Sequence, residues 1–282
     1  MCDNKVLIPP FKTQGIKTKL IPLIKANVYM DDFAVWIEPF MGSGAVGLNV
    51  APERAIFCDL NPHIIDFYNK LKRNEINSKI VLEYLNEQGA RLSEKNDEHY
   101  YFIRERFNRE KDPLDFLFLN RSCFNGMIRF NKNNDFNVPY GHKPRRFSKA
   151  YITKIVNQVR HFENKQRDND WTFICQSFED TLALADENSF VYCDPPYIGR
   201  HVDYYDSWDE VQERRLYQCL TDVGAKFMLS TWVSTQYRKN PYIELIWNHC
   251  TKITKEHFYF IGAKEENRNT VTEALLTNYT LS

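Results

Sequence analysis

A short run with unusual chemistry, Asp194-Pro195-Pro196-Tyr197, follows directly after the apolar stretch Ser189–Cys193. Proline has no amide hydrogen and a nearly fixed φ angle, so a proline pair ends a strand and begins a stiff loop. Such a loop holds the Asp194 carboxylate and the Pro195 carbonyl as two adjacent acceptors. Two acceptors suit an amino group that donates both hydrogens, and Tyr197 beside them suits a planar base. The alternative interpretation is a rigid surface turn that binds nothing.

A second candidate site is the glycine-rich segment EPFMGSG. Gly42 and Gly44 lie between a strand-like run and a helical one, where glycine permits a tight turn and a close approach to a ligand. Asp59 ends the next strand-like run, 59 − 38 = 21 positions after Glu38, which suits hydrogen bonding to ribose hydroxyls. The glycine spacing is shorter than the dinucleotide fingerprint, so we predict a single nucleoside. The alternative role for Asp59 is to cap the helix that begins near Pro62.

Strand-like runs alternate with helical patterns through much of the chain. The runs are Ala34–Glu38, Arg54–Asp59, Trp171–Gln176, Ser189–Asp194 and Ala225–Thr231. This alternation predicts a mostly parallel sheet that helices cover on both faces. Two last runs, KEHFYFIG and TVTEALLTNY, lack a helical pattern between them and predict an antiparallel pair closing the sheet. Because parallel strands end at one edge, this fold brings the two candidate sites together.

The alternation is absent between Leu71 and Asp170. Charged amphipathic patterns predict helices in the first part of this block. The turn-rich NKNND between MIRF and FNVPY predicts a β-hairpin with a polar tip. We therefore predict an α/β protein with a Rossmann-like sheet domain, residues 1–70 and 171–282, and an inserted, mainly helical domain, residues 71–170.

The composition is that of an ordinary globular protein, with 282 residues of which 43% are hydrophobic and 26% charged. Lys plus Arg and Asp plus Glu both number 37, so a nucleic-acid partner requires a local basic region, such as HKPRRFSK. The seven cysteines form no C-x-x-C pair, which argues against a zinc site and for a reducing compartment. We find no signal peptide and no membrane-length apolar run, and predict a soluble, cytoplasmic protein without membrane or metal partners.

Five motifs occur in order along nearly the whole chain: EPFMGSG, DLNP, NRSCFNGMIRFN, FNVP and VYCDPPY. Together they resemble the Dam-like, α-class DNA adenine methyltransferases, most closely a modification enzyme of a restriction system. The resemblance implies a methyltransferase that moves a methyl group from S-adenosylmethionine to a flipped adenine in double-stranded DNA. It also implies a GAT-containing palindrome as target, GATATC if specificity is shared, and a bacterial or phage enzyme acting as a monomer. A cognate restriction endonuclease on the same site, without direct contact, and a solitary enzyme both fit.

The resemblance assigns the catalytic role to Asp194, Pro195, Pro196 and Tyr197. It assigns the cofactor pocket to Gly15, Lys17, Glu38, Phe40, Gly42, Gly44, Asp59, Ser177, Phe178 and Asp194. Within that set Asp59 holds the ribose, Ser177 and Phe178 lie by the adenine, and Gly15 and Lys17 belong to a methionine-binding motif. The motif departs from the family pattern at Thr13 and Ile16.

The resemblance assigns DNA contacts to Lys12, Phe124, Asn125, Met127, Arg129, Pro139, Arg145 and Arg146. An arginine can read guanine with two hydrogen bonds, and methionine or proline can pack on a thymine methyl. Phe124 or Asn125 can wedge into the stack that the adenine leaves. The alternative for Phe124 and Met127 is the buried face of the hairpin. His142 replaces a basic residue of the family, for which Arg145 and Arg146 can substitute.

Three other functions remain open from the residues. Cytosine-N4 methylation uses similar geometry but usually has Ser before the proline pair, and RNA or protein methylation more often has Asn there. A DNA-binding protein without turnover is the third, and the presence of Asp194, Gly42, Gly44 and Asp59 argues against it.

Overall fold

The computed structural model describes residues 5–198, 208–235, 238–260 and 268–280. The helices in these ranges are α1 (Ile21–Ala26), α2 (Ala45–Val50), α3 (Pro62–Lys72), α4 (Ser78–Lys95), α5 (Asp97–Glu110), α6 (Pro113–Ser122), α7 (Lys149–Arg167), α8 (Phe178–Leu182), α9 (Glu210–Val223) and α10 (Tyr242–Leu245). Among the described helices, none combines the length and the apolar character that crossing a membrane requires.

The strands form one sheet of seven. They are β1 (Val35–Glu38), β2 (Arg54–Asp59), β3 (Asp170–Cys175), β4 (Ser189–Cys193), β5 (Lys226–Thr235), β6 (Thr251–Phe260) and β7 (Arg268–Thr277), in the order β3-β2-β1-β4-β5-β7-β6. Strands β1 to β5 are parallel, and β7 is antiparallel to both β5 and β6. The predicted mostly parallel sheet with a closing antiparallel pair is confirmed. The chain order reverses between β1 and β4, which creates the crevice where α/β sheets bind ligands.

Helices cover both faces of this sheet. Neighbouring residues of a strand point to opposite sides, so they pack against different sets of helices. Trp36 and Tyr192 belong to a large core cluster shared with α3 and with α4 to α7. Ile37 and Val191 belong to a second cluster, shared with α8, α9 and α10. The predicted α/β class is therefore confirmed.

Helix α6 differs from the sequence prediction, which assigned helices only to the first, charged part of the block between Leu71 and Asp170. Asp112 caps the helix by accepting a hydrogen bond from the Leu114 amide at 2.7 Å, and Pro113 occupies the first turn. Phe116, Leu117 and their neighbours are buried all round. An apolar run without period is ambiguous between strand and buried helix, and here the cap and the proline decide for the helix.

The predicted hairpin exists as an irregular antiparallel pairing. An isolated bridge joins Phe130 to Phe136 across the polar NKNND turn. Asn125 (φ 54°) and Gly126 (φ 68°) adopt left-handed backbone angles, which interrupt an extended strand. The chain thus turns back where the sequence predicts, but in segment 123–148, all of which is described, the two arms are not continuous strands.

Candidate active site

A cavity of about 300 Å³ lies at the switch point of the sheet, beyond the carboxyl ends of β1, β2 and β4. Its wall contains most of the residues predicted for the cofactor: Gly15, Lys17, Glu38, Phe40, Gly42, Asp59, Ser177, Phe178 and Asp194. Pro196 also lines it, whereas Gly44, Pro195 and Tyr197 are not among its lining residues. The fold therefore brings the glycine turn and the acidic loop to one cavity, as expected for the carboxyl edge of a parallel sheet.

The glycine turn between β1 and α2 requires left-handed backbone at both glycines, with φ 52° at Gly42 and 76° at Gly44. A Cβ added at Gly42 would meet no atom within 4 Å, so this face is open to the cavity. A Cβ at Gly44 would come within 2.8 Å of the Met41 Cε atom. Gly42 thus leaves room for a close ligand, and Gly44 permits the packing behind it.

Asp59 ties this turn to the end of β2. Its Oδ2 atom accepts from the Gly42 amide at 2.7 Å, and its Oδ1 atom accepts from the Asn61 amide at 2.8 Å. Burial raises the pKa of the Asp59 carboxyl. The alternative that Asp59 caps the following helix is wrong, because the Asn61 side chain caps α3 by accepting from the His63 amide at 3.0 Å. Each Asp59 oxygen retains a lone pair for a ligand hydroxyl.

Asp194, at the end of β4, forms an ion pair with Lys17, whose Nζ atom lies 3.0 Å from Oδ2. Lys17 also donates to the Gly15 carbonyl at 2.7 Å and is 5% exposed, whereas Asp194 is 22% exposed. Burial raises the pKa of Asp194 and the Lys17 ammonium opposes that rise, which leaves a pKa of about 6. The carboxyl is therefore ionised at neutral pH and can accept hydrogen bonds from a ligand.

The Tyr197 ring lies beside this ion pair, with the Lys17 Nζ atom 5.0 Å from the ring centroid. The Tyr197 hydroxyl lies 3.4 Å from the Ser230 hydroxyl and 3.4 Å from the Glu273 Oε1 atom. Ser230 and Glu273 are buried on β5 and β7, and the sequence analysis missed both. The available signal was a polar residue inside each apolar strand-like run, since buried polar groups require partners.

Glu38 ends β1 and is almost fully buried. Its Oε2 atom accepts from the Trp36 indole Nε1 at 3.2 Å. Burial raises the pKa of the Glu38 carboxyl to about 8. A positive charge in the cavity would lower that pKa and favour the carboxylate, so this wall is suited to a cationic ligand.

Three aromatic rings form another wall of the cavity. Phe40 and Phe178 stack with centroids 5.6 Å apart, and Trp208 meets them edge-on at 5.5 and 5.6 Å. Ser177 caps α8 by accepting from the Asp180 amide at 3.1 Å, which fixes the position of Phe178. Trp208 was missed in the sequence analysis, although it directly precedes the predicted helix α9.

The irregular hairpin also reaches the cavity. Ile128 and Phe130 line it, whereas Arg129 between them donates from Nε to the Asn137 Oδ1 atom at 2.7 Å. The alternation of MIRF thus separates a cavity side from a side that carries Met127 and Arg129. The sequence analysis assigned only the second side, although the same period-2 pattern was the signal for the first.

Residues predicted to contact DNA differ in exposure. Phe124 is 50% exposed, and Asn125 and Pro139 are exposed as well. Met127 is half-buried and packs against the core. The alternative of a buried hairpin face is therefore wrong for Phe124 and holds in part for Met127.

Lys12 and Arg146 belong to a group of cations around Tyr151. Arg146 donates from Nη2 to the Tyr151 hydroxyl at 2.8 Å, and the buried Arg121 donates from Nε to the Pro10 carbonyl at 2.6 Å. Burial and the charges of Arg146 and Arg121 lower the pKa of Lys12, and Tyr151 offsets part of this decrease. Arg145 is exposed. Lys12 and Arg146 thus form a basic region next to the hairpin.

A known protein family matches this chain. The model of the D12 class N6 adenine-specific DNA methyltransferases matches residues 14–261. The chain belongs to this family. The predicted family is confirmed, and membership in a methyltransferase family generally implies S-adenosylmethionine as the methyl donor.

Several methyltransferases are similar to the chain. The type II methyltransferase M.FokI of Planomicrobium okeanokoites is 30% identical over 98% of the chain and 44% of its own length. The DNA adenine methylase of Haemophilus influenzae is 34% identical over 81% of the chain and 74% of its own length. That of Escherichia coli K12 is 40% identical over 66% of the chain and 63% of its own length. The chain thus spans less than half of M.FokI and about two thirds of the E. coli relative.

Among the described residues, no set of three His, Cys, Asp or Glu side chains is placed to hold a metal ion.

Proposed function

We propose that this protein is a site-specific DNA adenine-N6 methyltransferase that transfers a methyl group from S-adenosylmethionine to adenine in duplex DNA. The observation that carries the proposal is the ionised Asp194 carboxylate, held by Lys17 in the wall of the cavity beneath the glycine turn. Family membership supports the reaction class. The cavity offers one place where a methyl donor and an amino acceptor can meet.

The side chains of the cavity fit an S-adenosyl cofactor. Asp59 offers carboxylate oxygens for ribose hydroxyls, and the open face of Gly42 allows the nucleoside to approach the backbone. Phe40 and Phe178 offer a surface for a purine. Glu38 becomes a carboxylate beside a positive charge, as its raised pKa permits. When bound, the cofactor supplies an electrophilic methyl group on a positively charged sulfur.

The acidic loop orients the acceptor. We infer that the Asp194 carboxylate and the Pro195 carbonyl accept the two hydrogens of the adenine amino group. These bonds direct the nitrogen lone pair out of the ring plane, toward the methyl group. Pro195 and Pro196 keep both acceptors fixed, and Tyr197 stacks on the base. Alignment and fixed dipoles then lower the barrier, without a covalent enzyme intermediate.

The target amino group is inaccessible inside a duplex, so the adenine must leave the stack. We infer that Phe124, half exposed in the 3-10 turn Phe124–Gly126, or the exposed Asn125 fills the vacated space. An apolar ring offsets part of the unstacking cost. Base flipping in this protein is therefore part of the proposal.

Residues 71–170 form the proposed target-recognition domain, inserted between residues 1–70 and 171–282 of the catalytic domain. Arg129 reads guanine, Met127 and Pro139 pack on a thymine methyl, and Lys12 contacts a second guanine. Arg145 and Arg146 bind phosphates. The motifs PPFKTQGIKTKL and NRSCFNGMIRFN resemble those of the EcoRV modification methyltransferase, so we propose GATATC as the target. A monomer suffices, since each strand of a palindrome can be methylated in turn.

Methyl transfer to defined duplexes tests the function. We expect purified protein with labelled S-adenosylmethionine to produce N6-methyladenine in a GATATC duplex, with the product base identified by mass. Duplexes with one substituted base pair serve as matched controls and should be poor substrates. N4-methylcytosine as the product, labelled RNA or protein only, or DNA binding without label would each contradict the proposal. A 2-aminopurine at the target position should brighten on binding if the base flips.

A further inference from the structure

A buried carboxylate, Glu213 of helix α9, joins the aromatic wall of the cavity to the core. Its Oε2 atom accepts from the Trp208 indole Nε1 at 2.6 Å, and its Oε1 atom accepts from the Trp247 indole Nε1 at 2.7 Å. Glu213 is 5% exposed, and in the described part of the chain it has no ion-pair partner. A buried carboxylate is costly without partners, so these two indoles determine its position.

The two tryptophans differ in their surroundings. Trp247 is buried in the second core cluster, edge-on to Tyr217 at 5.2 Å and to Phe227 at 6.0 Å. Trp208 is half-buried and lines the cavity, edge-on to Phe40 and Phe178. Glu213 therefore connects a buried core indole to one that lines the cavity.

Trp208 precedes the first turn of α9, where Asp209 caps the helix by accepting from the Gln212 amide at 3.0 Å. Gln212 also lines the cavity, so the start of α9 faces it. The hydrogen bond to Glu213 therefore orients an indole at a helix start that faces the cavity.

We propose that Glu213 is a positioning residue that holds Trp208 as the third wall of the subsite for the cofactor's purine. This inference rests on the proposed function, because it assigns the aromatic corner to a planar base. Fixed edge-on rings favour a flat ligand over a flexible one, because the ring angle is set before binding. A glutamine at this position keeps the volume but offers one acceptor oxygen, and its amide hydrogens oppose an indole N–H.

Equilibrium binding of S-adenosylhomocysteine, measured by calorimetry, tests the inference in the full chain. We expect Glu213→Gln to raise the Kd by about three- to tenfold, the range of an aromatic contact. Glu210→Gln is the matched control, because Glu210 lies in the same turn but is exposed and pairs with Arg214. The control should leave the Kd unchanged.

A double-mutant cycle separates positioning from a general effect on folding. Trp208→Phe removes the indole N–H and keeps a ring, and in that background Glu213→Gln should add little further loss of affinity. Tryptophan emission should change when S-adenosylhomocysteine binds the wild type, and this change should be absent in Trp208→Phe and reduced in Glu213→Gln.

Each outcome has one meaning. An unchanged Kd in Glu213→Gln, or an equal loss with and without Trp208, would overturn the inference, since Glu213 would then act through the fold alone. If Glu213→Gln fails to fold, Trp208→Ala decides instead: a normal Kd in that variant overturns the inference. Absence of S-adenosylhomocysteine binding by the wild type would contradict the proposed function itself.

Discussion

The cavity and the segment 123–148 hold their polar side chains in different ways. In the cavity, Asp194 pairs with the distant Lys17, Asp59 accepts from the Gly42 amide 17 positions away, and Glu38 is buried against Trp36. In the segment, Phe124, Asn125 and Arg145 are exposed, and Arg129 donates to Asn137 within the same segment. The acidic groups of the cavity are thus held by the fold before a ligand binds. The groups proposed to contact DNA are expected to acquire their partners on binding. Four variants test that contrast.

The largest expected effect is that of Asp194→Ala. Removal of the carboxylate should lower methyl transfer by about a thousandfold or more, because the adenine amino group would lose one of its two proposed acceptors. Cofactor binding should be weakened but measurable by calorimetry. Asp222→Ala, at an exposed position late in α9, is the control and should be fully active. Near-normal turnover in Asp194→Ala would refute the proposal that the Asp194 carboxylate orients the adenine amino group.

A smaller effect is expected for Arg129→Ala in segment 123–148. Discrimination against duplexes with a substituted guanine should fall by about 5- to 100-fold, the range of one bidentate contact. Binding of S-adenosylhomocysteine should stay the same, because the guanidinium points away from the cavity wall. Lys132→Ala, exposed at the hairpin tip, should keep the wild-type preference. Unchanged discrimination in Arg129→Ala would contradict the division of roles between the two regions.

His63 lies where the two regions meet, with its ring stacked on Phe130 at 4.9 Å. Burial, and secondly the charge of Lys111, lowers the pKa of His63 from 6.5 to about 4. The unfolded chain therefore binds a proton at higher pH than the folded one, and stability is lost as the pH falls from about 6.5 toward 4. Between pH 7 and pH 5 this contributes a loss of about 2 kcal/mol.

The variant His63→Phe keeps a ring and removes the titration, so its unfolding free energy should fall by about 2 kcal/mol less than that of the wild type between pH 7 and 5. Urea unfolding at both pH values measures this difference. His249→Gln, at an exposed position, is the control and should follow the wild type. Equal pH dependence of the unfolding free energy in His63→Phe and in the wild type would show that burial does not lower the pKa of His63.

The smallest effect is a displacement of a pH profile. The proposed mechanism requires the Asp194 carboxylate, so kcat should decline as the pH falls through about 6. The Lys17 ammonium lowers that pKa, and Lys17→Met should therefore move the acid limb to higher pH, with the plateau reached at more alkaline pH. Saturating cofactor removes any contribution of Lys17 to cofactor affinity. Lys19→Met, at an exposed position, is the control, and an unmoved limb in Lys17→Met would show that Lys17 does not tune Asp194.

Local patterns in the sequence were sufficient for much of the fold. The run Arg54–Asp59 forms β2 and the stretch Pro62–Lys72 forms α3, as the alternation of strand-like and helical patterns predicts. The glycine turn and the acidic loop lie at one cavity because parallel strands end at one edge. These results depend on short-range backbone chemistry and on a topological rule, which a single sequence contains.

Pairings between distant residues were decided by the tertiary structure alone. Lys17 meets Asp194, Tyr197 approaches Glu273, and Glu213 joins two indoles, although no periodicity relates these positions. The irregular hairpin and the cavity role of Phe130 are of the same kind. Such contacts, and the pKa values of the buried acids, depend on which side chains lose water together. The sequence by itself determined the elements and the edge where they meet, and packing determined which charges and rings are held there.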